Sequence, residues 1–276
     1  MHVYMKLLKF LFLSLILQYS CSAQEDNLLD DIIEQNEVHY SSTGFTGQIS
    51  DQYIRFAKLS MKNPEELIPL TKHENNTVRC YSTWALIDKN HDGLVDLYAD
   101  FIGAKDSVTT FSACVKSRDP ISEVVYYRYF NSIKQEAREL DSILTKMDSM
   151  ALYSPSTNSH LINRALDNRI YPDSYHSRIE ELAFQEGNID AILYLSQWYK
   201  EEYRDPLKIA LFKNLNRTDL RFRIGSLYKI AEGALSFEDP SLKERLISIL
   251  SQHGDWRYVK NRFMPLLHKY GIYELD

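Results

Sequence analysis

The chain has 276 residues, 25% of them charged, with 32 Lys and Arg against 38 Asp and Glu. That acidic balance excludes a general nucleic-acid binder, which carries a basic excess. Glycine numbers 9, about half of average usage, and proline 8, so few breakers interrupt the chain and helices are favoured over a turn-rich all-β fold.

Residues 1–23 read as an export leader. Lys6 and Lys9 precede the apolar run Phe10-Leu-Phe-Leu-Ser-Leu-Ile-Leu17, which has signal-peptide length and falls short of a membrane span. Met5 serves equally well as the start. Two processing routes compete. Cys21-Ser22-Ala23 suits an ordinary signal peptidase and leaves Gln24 first. Ser20-Cys21 resembles a lipobox, with Cys21 lipidated, although Gln18 stands where an aliphatic residue is usual. Removing the leader takes two lysines and no acids, leaving 30 basic against 38 acidic residues. No later segment is apolar enough to span a bilayer, so the expected product is a periplasmic protein or an envelope lipoprotein, at the cell surface included, tethered by one lipid. Apart from Cys21 only Cys80 and Cys114 remain. One bridge in an oxidising compartment and two buried free thiols are both open readings.

Residues 24–45 are acidic. Leu28, Leu29, Ile32 and Ile33 share one helical face, so the segment reads as a short helix followed by a loop at 41–44, or as a tether. Residues 46–152 form an N-terminal helical array. Its starts include Asn63-Pro64 and Asp119-Pro120, and Asp205-Pro206 and Asp239-Pro240 repeat the signature further on. In each, the side chain caps free N–H groups and proline takes the first helical position. Behind Pro120, Val124 to Phe130 is β-branched and aromatic, which allows a short strand at 123–130. The favoured reading is one long helix running on through Ala137, Leu140, Ile143, Leu144 and Met147. Residues 153–160, Tyr-Ser-Pro-Ser-Thr-Asn-Ser-His, read as the linker to a C-terminal helical array over 161–276.

Internal echoes point to stacked repeats. Asn76-Thr-Val-Arg-Cys-Tyr-Ser82 aligns with Asp106-Ser-Val-Thr-Thr-Phe-Ser112, thirty residues later, and more faintly with Phe222 to Tyr228. A helical period in the thirties is that of an α-solenoid. The stretch from Leu70 to Leu86, with Val78-Arg79 after a polar turn and Ala85-Leu86 near the end, resembles a HEAT repeat. Residues 101–115 look like a weaker second unit and 173–252 like further degenerate ones. The resemblance, which extends to exported envelope proteins of Bacteroidetes, implies an all-α solenoid of stacked antiparallel helical hairpins with a concave binding surface. It implies no activity.

One stretch resembles the calcium loop of an EF-hand, Asp88-Lys-Asn90-His-Asp92-Gly-Leu-Val-Asp96. Oxygen side chains stand at positions one, three, five and nine, and Gly93 at six. Position twelve is Ala99 where a bidentate Glu belongs. An ordinary solvated turn between two helices has the same composition. G-x-S-x-G, P-loop, G-x-G-x-x-G and H-E-x-x-H are absent, and the histidines are not paired at helical spacing. A Ser/His/Asp site assembled from distant residues leaves no such trace. Asp106-Ser107, Asp141-Ser142 and Asp148-Ser149 resemble a short O-glycosylation signal. Tyr194, Trp198, Tyr199 and Tyr203 suit core packing or an aromatic groove, and Arg257, Lys260, Arg262, His268 and Lys269 give the last helix a basic face.

The function expected is that of a non-enzymatic interaction or scaffold protein of the bacterial envelope, with another protein as partner. A dispersed-site envelope enzyme or accessory subunit and an inhibitor or immunity-type binder are the alternatives. If the 88–96 loop holds Ca2+, millimolar calcium raises the melting temperature and Asp92→Ala abolishes the rise; an unchanged melting curve rules the site out.

Overall fold

The computed structural model describes residues 27–154, 159–217 and 224–275. The leader, Cys21, the centre of the 153–160 linker and Phe222-Arg223 lie outside the described residues. The chain is mostly helical and carries one three-stranded sheet. It divides between Met150 and Ala151 into two compact units, just before the stretch read as a linker.

The N-terminal unit opens with helix α1, residues 27–35, whose Ile32 is fully buried. Asn36 ends it in the left-handed region at φ 48°. Strand β1, Glu37–Thr43, follows where a loop was expected at 41–44. Helices α2 (Asp51–Leu59), α3 (Pro64–Leu70), α4 (Asn76–Asp88) and α5 (Leu94–Ile102) come next. The Asn63 cap is as expected: its side chain accepts from Glu66 N–H while the Glu66 carboxylate accepts from Asn63 N–H.

The second repeat unit is corrected here. Residues 106–112, aligned with the start of α4, form strand β2 (Ser107–Ala113), paired in parallel with β1 and, through a hairpin, antiparallel to β3 (Val115–Pro120). Val108, Thr109, Thr110 and Phe111 are β-branched or aromatic, and the chain buries Val108 and Thr110 at period two. A matching cap and serine could not override that period.

The region 120–150 is corrected as well. Residues 123–130 are helical, inside α6 (Ile121–Ser132), and the expected single long helix is broken. Ile133 is extended, a 3-10 turn covers Gln135–Ala137, and α7 starts at Ser142 and ends at Tyr153. Asp141 makes the break worthwhile, because its carboxylate accepts from Leu144 N–H at 2.7 Å and from the Tyr129 hydroxyl at 3.0 Å. Leu140, read as part of the stripe, is 88% exposed. Asp119 does not cap α6 either. Its carboxylate accepts from the hydroxyls of Thr110 and Ser117.

The C-terminal unit has only helical elements among its described residues. It holds α8 (Ser159–Asn168), a 3-10 turn at Asp173–Tyr175, and α9 (His176–Glu180) running into a π turn at Glu181–Gln185. Then come α10 (Ile189–Trp198), α11 (Arg204–Leu215), α12 (Ile224–Ser236), α13 (Pro240–Ser251) and α14 (Trp256–Lys269). Helix α11 begins one residue before Asp205, uncapped by any side chain, so Asp205-Pro206 lies inside its first turn. The packing is between neighbours and next neighbours: α10 meets α8, α11 and α12, α11 meets α12 and α13, and α12 meets α13 and α14. Gly233 permits the close approach of α10 and α12, since a Cβ there would stand 2.7 Å from the Leu193 side chain.

Asp239 caps α13 as the sequence implied. Its carboxylate accepts from the N–H groups of Ser241 and Leu242 and pairs with Lys208 at 2.5 Å. The bond from Lys208, then that from Ser241, holds the Asp239 carboxyl well below the usual carboxylate range. Asp239→Ala is expected to cost the C-terminal unit about 1 kcal/mol at neutral pH. A depressed folded pKa gives stability that is present above the unfolded value and is lost as pH falls through the folded one. Melting curves of wild type and variant should therefore differ from neutrality down through the ordinary carboxylate range and converge only below it.

Candidate functional site

The four oxygens read as a calcium loop are set out by a helix ending. Lys89 is the C-cap of α4, and Asn90 takes the left-handed conformation at φ 54°. His91 N–H bonds to Leu86 O at 3.0 Å and Asn90 N–H to Ile87 O at 2.9 Å. These two bonds define a Schellman ending, in which Asn is favoured at the left-handed position. Helix α5 begins at Leu94, so Asp96 lies in its first turn. Asp88 faces elsewhere: its carboxylate takes both Nε and Nη2 of Arg128, at 3.0 and 2.5 Å. Among the described residues no group of three or more His, Cys, Asp or Glu side chains could hold a metal ion. The structure thus brings Asp88, Asn90, Asp92 and Asp96 into one turn without converging their side chains on a point.

The Arg128 guanidinium that holds Asp88 also lies over Trp84, 4.9 Å from the ring centroid, and over Phe56 at 5.4 Å. Tyr40, Phe56, Tyr81 and Trp84 form one aromatic cluster with centroids 5.0 to 5.7 Å apart. Burial pushes the Tyr40 and Tyr81 hydroxyls and the Cys80 thiol far above their ordinary pKa values. Cys80 and Cys114, the two cysteines among the described residues, are free. Cys80 is buried and Cys114 is exposed at the β2–β3 turn, so neither the bridge nor the pair of buried thiols describes them.

The richest chemistry lies where the sequence was read as helix, tether and loop. Glu37 and His39 are two apart on β1 and therefore share a face of the strand. His39 is 6% exposed. Its Nδ1 is 2.9 Å from the Ser50 hydroxyl and its Nε2 is 2.9 Å from the Glu37 carboxylate. The second Glu37 oxygen accepts from Lys116 of β3 at 2.8 Å. Burial alone would raise the Glu37 pKa, but hydrogen bonds from Lys116 and His39 outweigh it and hold the carboxyl low. The His39 ring stands edge-on to Phe111 at 5.2 Å, and its backbone N–H donates to the Tyr81 hydroxyl at 2.7 Å. Ser50 is the N-cap of α2, accepting from Tyr53 N–H at 3.1 Å. The Glu-Val-His spacing was the available signal, and it carries meaning only once 37–43 is recognised as a strand.

A second buried polar group joins Tyr126 and Asp148, whose hydroxyl–carboxylate bond measures 2.5 Å. The neighbouring Tyr98 hydroxyl is buried with no partner among the described residues, and burial raises its pKa far above the ordinary value. Of the three Asp-Ser pairs, Asp106 is paired with Arg79 at 2.6 Å, Asp141 caps α7 and Asp148 is fully buried. In the C-terminal unit the tyrosines act as clamps. Tyr194 accepts from Tyr171 N–H at 2.7 Å, Tyr199 donates to Tyr171 O at 3.2 Å, and Tyr203 donates to Glu180 at 2.8 Å. On α14, Phe263, Leu266 and Leu267 are buried, while Arg257, Arg262, His268 and Lys269 are exposed.

No family model matches the chain, nor does any curated protein or solved structure.

The bidentate Asp88–Arg128 pair is half screened, with Asp88 36% and Arg128 23% exposed. Asp88→Ala should lower the stability of the N-terminal unit by about 1–2 kcal/mol. Arg128→Lys should lose most of the same amount, because an ammonium cannot make two parallel bonds to one carboxylate. Thermal melts of the two variants check both statements.

Proposed function

We propose that the chain is a partner-binding protein of the bacterial envelope, and that its C-terminal unit is a short HEAT-like α-solenoid presenting the binding surface to another protein. Two features support the solenoid reading. Helices α10, α11 and α12 each pack on the next helix and the next but one, as stacked hairpins must. In the N-terminal unit, α3 and α4, which carry the HEAT-like stretch, pack on each other across the short turn at Thr71–Asn75.

The observation that carries the binding reading lies on α11. Leu207, Ala210, Leu211 and Leu215 bury one face. On the other, Ile209 is 70% and Phe212 42% exposed, three residues apart and so adjacent on the helix surface. An aromatic beside a branched aliphatic, ringed here by the exposed Asp205, Lys213 and Asn216, is the composition of an interface core with a polar rim. Export through the leader places such a surface outside the cytoplasm, either free or tethered through Cys21.

A photo-crosslinking residue at position 209, expressed in the native envelope, should capture one discrete protein. The same residue at exposed Glu244 of α13 should not capture it, and Phe212→Asp should abolish the adduct at 209. Identical crosslinking patterns from 209 and 244 would sink the proposal.

A further inference from the structure

We propose that Ser50, His39 and Glu37 form an acyl-transfer triad that hydrolyses carboxylic esters bearing an apolar group. The site belongs to the N-terminal unit and the α11 surface to the C-terminal one, so the two proposals stand or fall separately.

The hydrogen-bond inventory of Ser50 is the first ground. A hydroxyl has one proton and two lone pairs. One lone pair takes Tyr53 N–H at 3.1 Å, and the proton is directed at His39 Nδ1 at 2.9 Å. One lone pair is left for attack, on a residue that is only half-buried. His39 is set to receive that proton. Its Nε2–H donates to Glu37 at 2.9 Å, which leaves Nδ1 unprotonated toward the serine, and the carboxylate stabilises the imidazolium that forms. Glu37 is kept ionised by Lys116 and His39 against the opposing effect of burial. In the familiar serine hydrolase arrangement the two ring nitrogens have the opposite partners. Because the nitrogens are conjugated, the relay works in either sense.

The second ground is where negative charge would collect. Ser50 is followed by the first turn of α2, where the N–H groups of Asp51 and Gln52 have no acceptor among the described residues. Such first-turn donors, next to the nucleophile, suit a tetrahedral oxyanion. The third ground is the apolar frame. Ile49 precedes Ser50 and is 61% exposed, and Ile54, one turn along α2, is 44% exposed. Those side chains favour an alkyl or acyl chain over a charged peptide.

The reaction balances without a cofactor. Ser50 Oγ bonds to the ester carbonyl carbon as its proton passes to His39 Nδ1. The C–O bond to the alcohol breaks and that proton leaves with the alcohol. Water then attacks the acyl-serine, gives a proton to Nδ1, and the acid departs as Ser50 regains its hydrogen.

The test uses the full exported chain and a fluorophosphonate probe, which loses fluoride on phosphonylating an activated serine, alongside hydrolysis of p-nitrophenyl butyrate. The expected result is a single adduct mapped to Ser50, blocking turnover. Ser50→Asp keeps the helix cap and should retain the fold while losing both adduct and turnover. Glu37→Gln should slow labelling by roughly 10²–10⁴-fold and alter its dependence on pH. A folded wild type that gives no adduct at Ser50, or a folded Glu37→Gln that labels at the wild-type rate with an unchanged pH profile, would overturn the proposal and leave Ser50 as a helix cap only.

Discussion

Helix α4 is buried on every side, and the N-terminal unit is organised by the need to cover it. From Cys80 to Ile87 no residue reaches solvent to any extent. An amphipathic helix needs one partner layer, whereas a helix buried all round needs a complete shell. The shell comes from α2, α3, α5, α6 and the β1–β2 edge of the sheet. Side chains of the size of Trp84, Tyr81, Leu86 and Ile87 each contribute about 1.5–3 kcal/mol on full burial. The polar groups carried inward are satisfied without water. Ser82 and Thr83 donate to carbonyls one turn back, and Trp84 Nε1 reaches Val124 O at 3.4 Å. The charges sit at the ends, where Arg79 meets Asp106 and Asp88 meets Arg128. Losing one partner at either end leaves a charge half-withdrawn from water, which costs more than the pair contributes.

The sheet is small and depends on α4 in turn. Its strand order β1-β2-β3 leaves two edges, and an edge strand with free N–H and C=O groups invites foreign pairing. The β1 edge is closed by side chains: Tyr81 bonds to the backbone of His39, and Gln52 Nε2 donates to Glu37 O at 2.9 Å. The β3 edge is exposed and carries Lys116 and Arg118, the charged residues that discourage pairing. Closing the β1 edge from α2 and α4 has a chemical consequence. It draws the start of α2 against the strand, and with it Ser50 onto the ring of His39.

What was legible in the sequence, and what was not, divides along the range of the interactions. Asn63-Pro64 and Asp239-Pro240 cap helices as read, because a cap bonds to N–H groups two or three residues away. Asp119-Pro120 has the same letters, but Thr110 across the hairpin and Ser117 two residues back on the same strand offer two hydroxyls that the strand geometry brings within reach, and Asp119 takes those. The echo between 76–82 and 106–112 failed for a related reason. It matched residue types at fixed offsets and gave no weight to the run Val108 to Phe111, whose β-branched and aromatic content decides between strand and helix. Leu140 kept the helical spacing and is exposed all the same, since Asp141 starts the next helix. The Glu37–His39–Ser50 constellation could not be read at all without β1. A two-residue spacing places side chains together on a strand and on opposite sides of a helix.

The 88–96 loop shows how one composition serves two different backbone needs. An EF-hand loop and a Schellman ending both need small polar residues and a backbone that turns through the left-handed region, the first at Gly and the second at Gly or Asn. Asn90 at φ 54° meets that need here, with two backbone hydrogen bonds closing the helix. The residue that separates the two cases is Asp88. In a calcium loop the first aspartate points inward to the ion. In this chain it ends a buried helix and faces Arg128, whose guanidinium is already fixed by the rings of Trp84 and Phe56. A cation at that turn would have to compete with an arginine held in place by the aromatic core, so the packing around α4 decides the chemistry of the loop that follows it.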